Sequence, residues 1–462
     1  MNSNTPSSSR SLDLASAATD RRGLLRAALG VAAAGALSPL AVGVTRRQDR
    51  PVPDSPLATP PMSRVRIGMV GIGGMGSWHL ENLLKIEGVE VTAVCDIVPE
   101  KVTRAQEKVT AAGQKSPTGY SRGPRDFERL CESEDLDLVF TATPWEWHVP
   151  VCTAAMRNGK HAATEVPAAL TIEECWQLVE TAEKQHKHCV MMENCCYDRP
   201  ELLVFNMVRR GAFGEVMHAE VGYQHDLRDI KFSKDGEGLW RRAHSVKRDA
   251  NLYPTHGLGP VAIAMDVNRG DQFDYLVSMS GPSRGLQAHQ QTLPPDDPRR
   301  SEQYALGDVN ICLIKTKLGR TIYLVHDTNL PRPYARYNLF QGTKAIYTGS
   351  PPRLYVEGRG EGHRWQPLDA FAEEFDHPLW RSEKIKKMTG GHGGMDYLES
   401  YRLIHCLRNG LPTDMNVYDA AAWSCITECT ERSNAKRSAA VDIPDFTRGR
   451  WQQWPRWEVF DA

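Results

Sequence analysis

The chain has 462 residues, with 56 Lys and Arg against 57 Asp and Glu, a formal net charge of −1. That balance gives no reason to expect nucleic acid as a partner, which would call for a basic surface. Eleven cysteines without recurrent spacing exclude a small disulfide scaffold and offer no zinc or iron–sulfur ligand set, so no metal is expected.

The first 62 residues stand apart from the rest of the chain. Asp20-Arg21-Arg22-Gly23-Leu24-Leu25-Arg26 precedes a short, mildly apolar run from Ala27 to Leu37. This is similar to a twin-arginine export signal over residues 1–43, which would send an already folded protein to the periplasm. The run is too short and too rich in Gly and Ala for a membrane span, so no stable membrane insertion is expected. Residues 44–62, rich in Pro, Arg and Ser, read as a linker. The remaining length suits two domains.

The apolar run Val65 to Val70 ends at Gly71-Ile72-Gly73-Gly74-Met75-Gly76, and a helix pattern (Trp78, Leu80, Leu83, Leu84) follows. A second strand, Val89 to Cys95, ends at Asp96, twenty residues after Gly76. A glycine hexad alone matches by chance. Set between strand and helix, with an acid at that distance, it is the fingerprint of a dinucleotide-binding turn. Asp96 would accept hydrogen bonds from a ribose diol and repel a 2′-phosphate, so the cofactor expected is NAD rather than NADP.

Strand and helix then alternate to about residue 192. Leu136 to Thr143 is a buried strand ending at Pro144, Val149 to Asn158 a helix, and His161 to Glu165 a short strand ending in Val166-Pro167. Thr171 caps a helix to about His186, and Cys189 to Met192 is another short strand. The fold class expected is α/β, with an N-terminal Rossmann domain over 63–192. Ligands sit beyond the carboxyl ends of such strands. Cofactor contacts are therefore expected from Gly71, Gly73, Gly74, Met75, Gly76, Asp96, Thr143, Trp145, His148, Glu165 and Asn194.

After about 214 the pattern changes. Runs at 216–223, 273–280, 306–315, 319–327, 335–340 and 343–348 read as strands of an open, largely antiparallel sheet, making 193–440 a substrate-binding α+β domain. Residues 282–305 read as an exposed loop and 392–409 and 416–434 as helices that can pack back on the first domain. The tail, 441–462, reads as wrapping the surface.

These residues carry a family resemblance that covers about 64 to 440. The plan resembles the oxidoreductases that include glucose–fructose oxidoreductase and inositol dehydrogenase. Within them, the chain is similar to the NAD-dependent alpha-N-acetylgalactosaminidases of glycoside hydrolase family 109. The segments that carry this are the glycine hexad with Ser77-Trp78-His79, Thr143-Pro144-Trp145-Glu146-Trp147-His148-Val149-Pro150, Glu165-Val166-Pro167, Met192-Glu193-Asn194-Cys195-Cys196-Tyr197, His225-Asp226-Leu227-Arg228 and Asn251-Leu252-Tyr253-Pro254-Thr255-His256-Gly257-Leu258-Gly259-Pro260. Where the parent oxidoreductases commonly have Glu-Lys-Pro, with a catalytic lysine, this chain has Val166, and valine cannot move a proton.

The resemblance implies release of terminal alpha-linked N-acetylgalactosamine by a redox-neutral cycle: oxidation at C3, elimination of the C1 oxygen, addition of water and re-reduction by tightly bound NAD. It implies His256 and Tyr253 as catalytic residues, three apart and able to share one face of a helical turn. Arg241, Tyr253, His148 and Tyr334 are assigned to the substrate. His225, Asp226 and Arg228 are expected to orient Tyr253 and His256, and the amides of Gly391-His392-Gly393-Gly394, before Asp396, to approach the ligand. An NAD-dependent sugar dehydrogenase, a glycosidase of the same mechanism with another sugar, and a non-catalytic sugar-binding protein share much of this sequence logic. The partner is a small-molecule or glycan substrate; homo-oligomers are common in the parental group.

Overall fold

Short aliphatic runs separated by amphipathic helices build the first half. The computed structural model of the chain describes residues 53, 56–386 and 392–460. The arginine pair and most of the linker lie outside the described residues. The first elements are β1 (Val65–Val70), α1 (Gly74–Leu83), β2 (Val89–Cys95), α2 (Pro99–Ala111), β3 (Thr118–Tyr120) and α3 (Asp126–Ser133). They are followed by β4 (Leu138–Thr141), α4 (His148–Arg157), β5 (His161–Thr164), α5 (Ile172–Gln185) and β6 (Cys189–Met191). The six strands lie in the order β3-β2-β1-β4-β5-β6, every neighbour parallel. β1 and β4 are buried almost throughout, as strands covered by helices on both faces must be. The order reverses at β1, which opens a crevice at its carboxyl end. Thr171 caps α5 through a reciprocal box with Glu174, as its sequence position predicts.

The second half starts with α6 (Arg199–Arg209), β7 (Val216–Gln224), α7 (Arg241–Lys247) and α8 (Thr255–Ala264). It continues with β8 (Phe273–Ser280), β9 (Val309–Thr316), β10 (Thr321–Asp327), β11 (Leu339–Gly342), β12 (Ala345–Gly349), β13 (Pro352–Val356) and β14 (Gln366–Pro367). Then come α9 (Met395–Asn409), α10 (Val417–Ser424), α11 (Ile426–Ala435) and β15 (Val441–Asp442). Nine strands form one sheet in the order β14-β13-β12-β11-β7-β10-β9-β8-β15. It is antiparallel except where β7 meets β10. One face packs on α8 and α11; the other exposes Met279, Ile311 and Leu313. α9 packs on α1, and α10 on α5 and β6, so the late helices close against the parallel sheet. Among the described residues no helix is long and apolar enough to cross a membrane.

Four expectations need correction. The strand placed at 335–340 begins only at Leu339, because Tyr337 and Asn338 have positive φ (62° and 50°) and break the extended chain. Residues 282–305 are not a bare loop: Leu286 and Tyr304 are buried with Phe232 in a small core of their own. The helix placed at 416–434 is divided between α10 and α11 at Cys425. The tail does not simply wrap the surface. β15 pairs with β8, and Trp454, Trp457 and Phe460 are buried. All eleven cysteines are buried and unpaired, small apolar fillers as expected; burial pushes the Cys95 thiol up to about 12.

Candidate active site

The crevice at the end of β1 has the shape a dinucleotide needs. Gly71 has φ +83°, and a Cβ there would meet the Ala142 carbonyl oxygen at 2.8 Å. A Cβ on Gly76 would fall 1.9 Å from the Gly71 oxygen, so the turn and α1 close up only on glycine. Gly73 and Gly74 instead face space with no heavy atom within 4 Å of a built Cβ. Gly73 caps α1 with no side chain, and no acid lies in its first turn, which leaves the amides and the positive helix end for a diphosphate. Asp96 is held by the Ile72 N–H (2.8 Å) and the Val98 N–H (2.9 Å). That fixes an acceptor at the end of β2 where a ribose diol belongs. These residues fit NAD.

The other expected cofactor residues gather at neighbouring strand ends. Thr143 follows β4 and shares a hydroxyl hydrogen bond with Thr141 (2.9 Å). Trp145 is buried and stacks on Tyr253, ring centroids 5.8 Å apart. Asn194 donates to Asp396 Oδ1 (2.7 Å) and keeps a buried carbonyl oxygen without a partner. Glu165 follows β5, its side chain 14% exposed. The side chain of His148 contradicts its assignment to cofactor and substrate. It is fully buried, with Nδ1 2.7 Å from the Pro167 oxygen and Nε2 2.9 Å from the Thr143 oxygen. No nitrogen is free for a sugar or nucleotide. Burial lowers its pKa, and the ring ties the loop after β4 to the loop after β5.

Tyr253 and His256 do meet. Pro254 and Thr255 start α8, and that turn sets the two rings edge to face, 4.8 Å between centroids. His256 Nδ1 donates to Glu193 Oε1 at 2.7 Å. Glu193 is fully buried; burial would raise its pKa, but His256 pulls it below the usual value. The partner fixes the ring's orientation and tautomer, leaving Nε2 for the substrate. Burial raises the Tyr253 phenol well above its ordinary value, so it stays a neutral donor. Arg241 lies across the rings of Trp145 (4.9 Å) and Tyr253 (5.2 Å) and pairs with Glu237 (2.8 Å). Tyr334 is half exposed and packs edge-on against Tyr223 and His225.

Sequence reasoning missed two members. Glu193 is adjacent to Asn194, yet only Asn194 received a role, since nothing in the sequence marks which residue of α8 a buried acid will meet. Tyr223, near the end of β7, packs on Tyr253 (4.6 Å) and His256 (5.4 Å); the signal available was its place at a strand's carboxyl end. Of the expected orienting cluster, His225 reaches Tyr223 (3.0 Å) rather than Tyr253 or His256. Asp226 and Arg228 pair with each other. His392 donates to Asp396 at 2.8 Å; Gly391 lies outside the described residues. Glu193, Cys195 and His256 bring three possible metal ligands together; His256 Nδ1 is taken up by Glu193 Oε1, while Glu193 Oε2 has no hydrogen-bond partner.

Two family models match consecutive stretches of the chain. Residues 65–193 match the oxidoreductase family with an NAD-binding Rossmann fold, and residues 197–453 match the C-terminal domain of glycosyl hydrolase 109. The chain belongs to glycosyl hydrolase family 109. A family 109 protein of Solibacter usitatus is 48% identical over 438 residues, covering 94% of this chain and 98% of that one. An alpha-N-acetylgalactosaminidase of Shewanella oneidensis is 44% identical over 444 residues, covering 94% and 97%. Among solved structures, levoglucosan dehydrogenase in complex with NADH and L-sorbose aligns with a TM-score of 0.64 at 18% identity, over 83% of this chain and all of that one. Scyllo-inositol dehydrogenase of Lactobacillus casei, with bound NAD(H) and scyllo-inositol, gives 0.59 at 16%, over 82% and 99%. These structures share the fold. The family 109 chain is an NAD-dependent enzyme of the sugar oxidoreductase and hydrolase superfamily.

Proposed function

We propose that the protein is a glycosidase that releases terminal alpha-linked N-acetylgalactosamine by a redox-neutral cycle. The observation that carries this reading is His256, oriented by buried Glu193 and set against Tyr253, beside a dinucleotide crevice that offers Val166 where dehydrogenation by the parental mechanism uses lysine. The name of the Shewanella oneidensis relative supports the choice of sugar.

When bound, NAD supplies a hydride acceptor that is also the later donor, so none is consumed. The glycine turn and Asp96 would hold it. Tyr253 donates to the sugar's C3 oxygen, and the Glu165 carboxylate takes the C3 hydroxyl proton as C3 is oxidised and returns it on re-reduction. His256 Nε2 takes the C2 proton, acidified once C3 is a ketone, and exchanges a proton with the oxygen leaving C1. Arg241 and Tyr334 hold sugar hydroxyls and the acetamido oxygen. Two carboxylates flanking the scissile bond are not needed.

A sugar dehydrogenase, or a glycosidase of this mechanism with another sugar, is the second reading. It is favoured by solved neighbours that are dehydrogenases across most of the chain. The test is para-nitrophenyl alpha-N-acetylgalactosaminide given to cofactor-loaded protein without added NAD. Many turnovers of nitrophenol with no growing NADH absorbance are expected. NADH accumulating on free sugars plus NAD, without nitrophenol, would replace this reading with the dehydrogenase. Turnover only on other aryl glycosides would change the sugar. Export through the twin-arginine route is part of the same proposal, resting on Arg21-Arg22 and Leu24-Leu25. Replacing both arginines with lysine should hold the protein in the cytoplasm.

A further inference from the structure

Four carboxyl groups and three imidazoles meet where α1, α8, α9 and the ends of β5 and β6 converge. Three are paired: Glu193 with His256 (2.7 Å), Asp396 with His392 (2.8 Å) and Glu165 with His79 (2.5 Å). The fourth acid, Glu399 on α9, is 2% exposed, and neither of its oxygens has a hydrogen-bond partner. A buried group of this kind needs a reason. Its nearest imidazole nitrogen is His79 Nδ1, 3.9 Å away, which also has no hydrogen-bond partner.

His79 lies on α1, three residues past the glycine hexad, fully buried against Phe140 (centroids 4.6 Å). Its Nε2 reaches Glu165 Oε1. The three side chains therefore form a line from a sealed interior to the crevice, and only Glu165 opens onto it. The proposed reaction uses none of the interior groups.

We propose that Glu399, His79 and Glu165 form a buried proton relay, with Glu399 the internal store and Glu165 the end that exchanges a proton with the substrate. This rests on the catalytic reading above, in which Glu165 exchanges the proton of the sugar's C3 oxygen. The relay balances as a tautomer exchange. Glu399 gives its carboxyl proton to His79 Nδ1 while His79 Nε2–H passes its proton to Glu165. His79 stays neutral, Glu399 becomes a carboxylate and Glu165 a carboxylic acid. Glu165 then protonates a substrate oxygen, and the reverse sequence refills the store. The 3.9 Å step must shorten by roughly 1 Å for transfer.

Burial, then the charges of Asp396, Glu165 and Glu193, holds the Glu399 carboxyl well above the usual carboxylate range. The groups facing the relay are Asp396 and His392 from the α9 side, Glu193 from the segment after β6, and Tyr253 across the crevice.

The test compares wild type with Glu399→Gln and His79→Gln as cofactor-loaded holoenzymes, reading bound NAD, KM, and kcat against pH. Both variants should keep their NAD and KM and lose roughly 10- to 100-fold in kcat. The alkaline fall of kcat, where the stored proton is lost, should disappear. The double variant should be no slower than either single one, because the groups act in series. A Glu399→Gln enzyme with wild-type kcat and an unchanged alkaline limb would overturn the relay, as would additive losses in the double variant. If Glu399→Gln does not fold, His79→Gln decides by the same criteria. A wild type that turns over only as a dehydrogenase overturns the glycosidase reading instead. The same kcat comparison on that reaction then judges the relay independently.

Discussion

His256 can meet a substrate through one nitrogen only, because Glu193 occupies the other. Glu193 is therefore a positioning residue, and its removal should act through His256. Glu193→Gln keeps an acceptor but removes the charge that stabilises an imidazolium forming opposite it. We expect kcat to fall about 10- to 100-fold with KM held, less than the roughly 10²- to 10⁴-fold expected for His256→Ala. An equal loss in both would place Glu193 in the chemistry itself. Tyr253→Phe isolates the hydroxyl, since the ring that packs on Trp145 and Tyr223 is kept. Its kcat should drop by about 10²-fold or more at unchanged thermal stability. A variant that melts earlier but turns over normally would make Tyr253 a packing residue.

The turn into α1 separates two uses of glycine. At Gly76 a methyl group collides with the Gly71 carbonyl, backbone against backbone, so Gly76→Ala should push α1 off β1. It should yield protein without cofactor and cost on the order of 1–3 kcal/mol of stability. At Gly73 the added methyl meets nothing. Gly73→Ala should leave the melting temperature of cofactor-free protein unchanged and weaken NAD binding alone. Calorimetry on both stripped variants checks this, and a shared loss of melting temperature would refute the distinction. This element was legible in the sequence because its constraints are local: strand, glycines, helix and acid fall within about thirty residues. The start of β11 and the whole of β13 were not. The first depends on Tyr337 and Asn338 adopting positive φ, and the alternation in β13 is short and half polar. The site divides the same way. Tyr253 and His256 lie on one turn and could be read together. The Glu193–His256 pair joins α8 to the loop after β6, and the His79–Glu399 approach joins α1 to α9. Both are products of packing that no spacing in the chain encodes.

Across the whole molecule, burial has also trapped histidines in their neutral form. His161, His188, His326 and His377 all have lowered pKa values, with desolvation the first cause. His161 falls to about 3 and His188 to about 4. Their rings lie 5.0 Å apart, and the His188 N–H donates to His161 Nδ1 at 3.0 Å. In the unfolded chain each would take a proton near pH 6.5. Below that value the unfolded state binds more protons than the folded one, so stability falls as pH falls until the folded pKa is reached. Each such group contributes a slope of about 1.4 kcal/mol per pH unit within its window. Carboxylates held low, such as Asp137 and Asp396, add to acid sensitivity only nearer their own unfolded values around pH 4. Glu201 and Glu399, held high, give the opposite slope over the interval from about pH 6 to 5, where the histidines outnumber them. Urea unfolding across it should show stability dropping steeply, and His161→Gln, which keeps an acceptor for the His188 amide, should flatten the slope by about 1.4 kcal/mol per pH unit. A slope left unchanged by His161→Gln would mean that this ring is already charged in the native fold, and the sheet end it shares with His188 would then have to hold a buried cation.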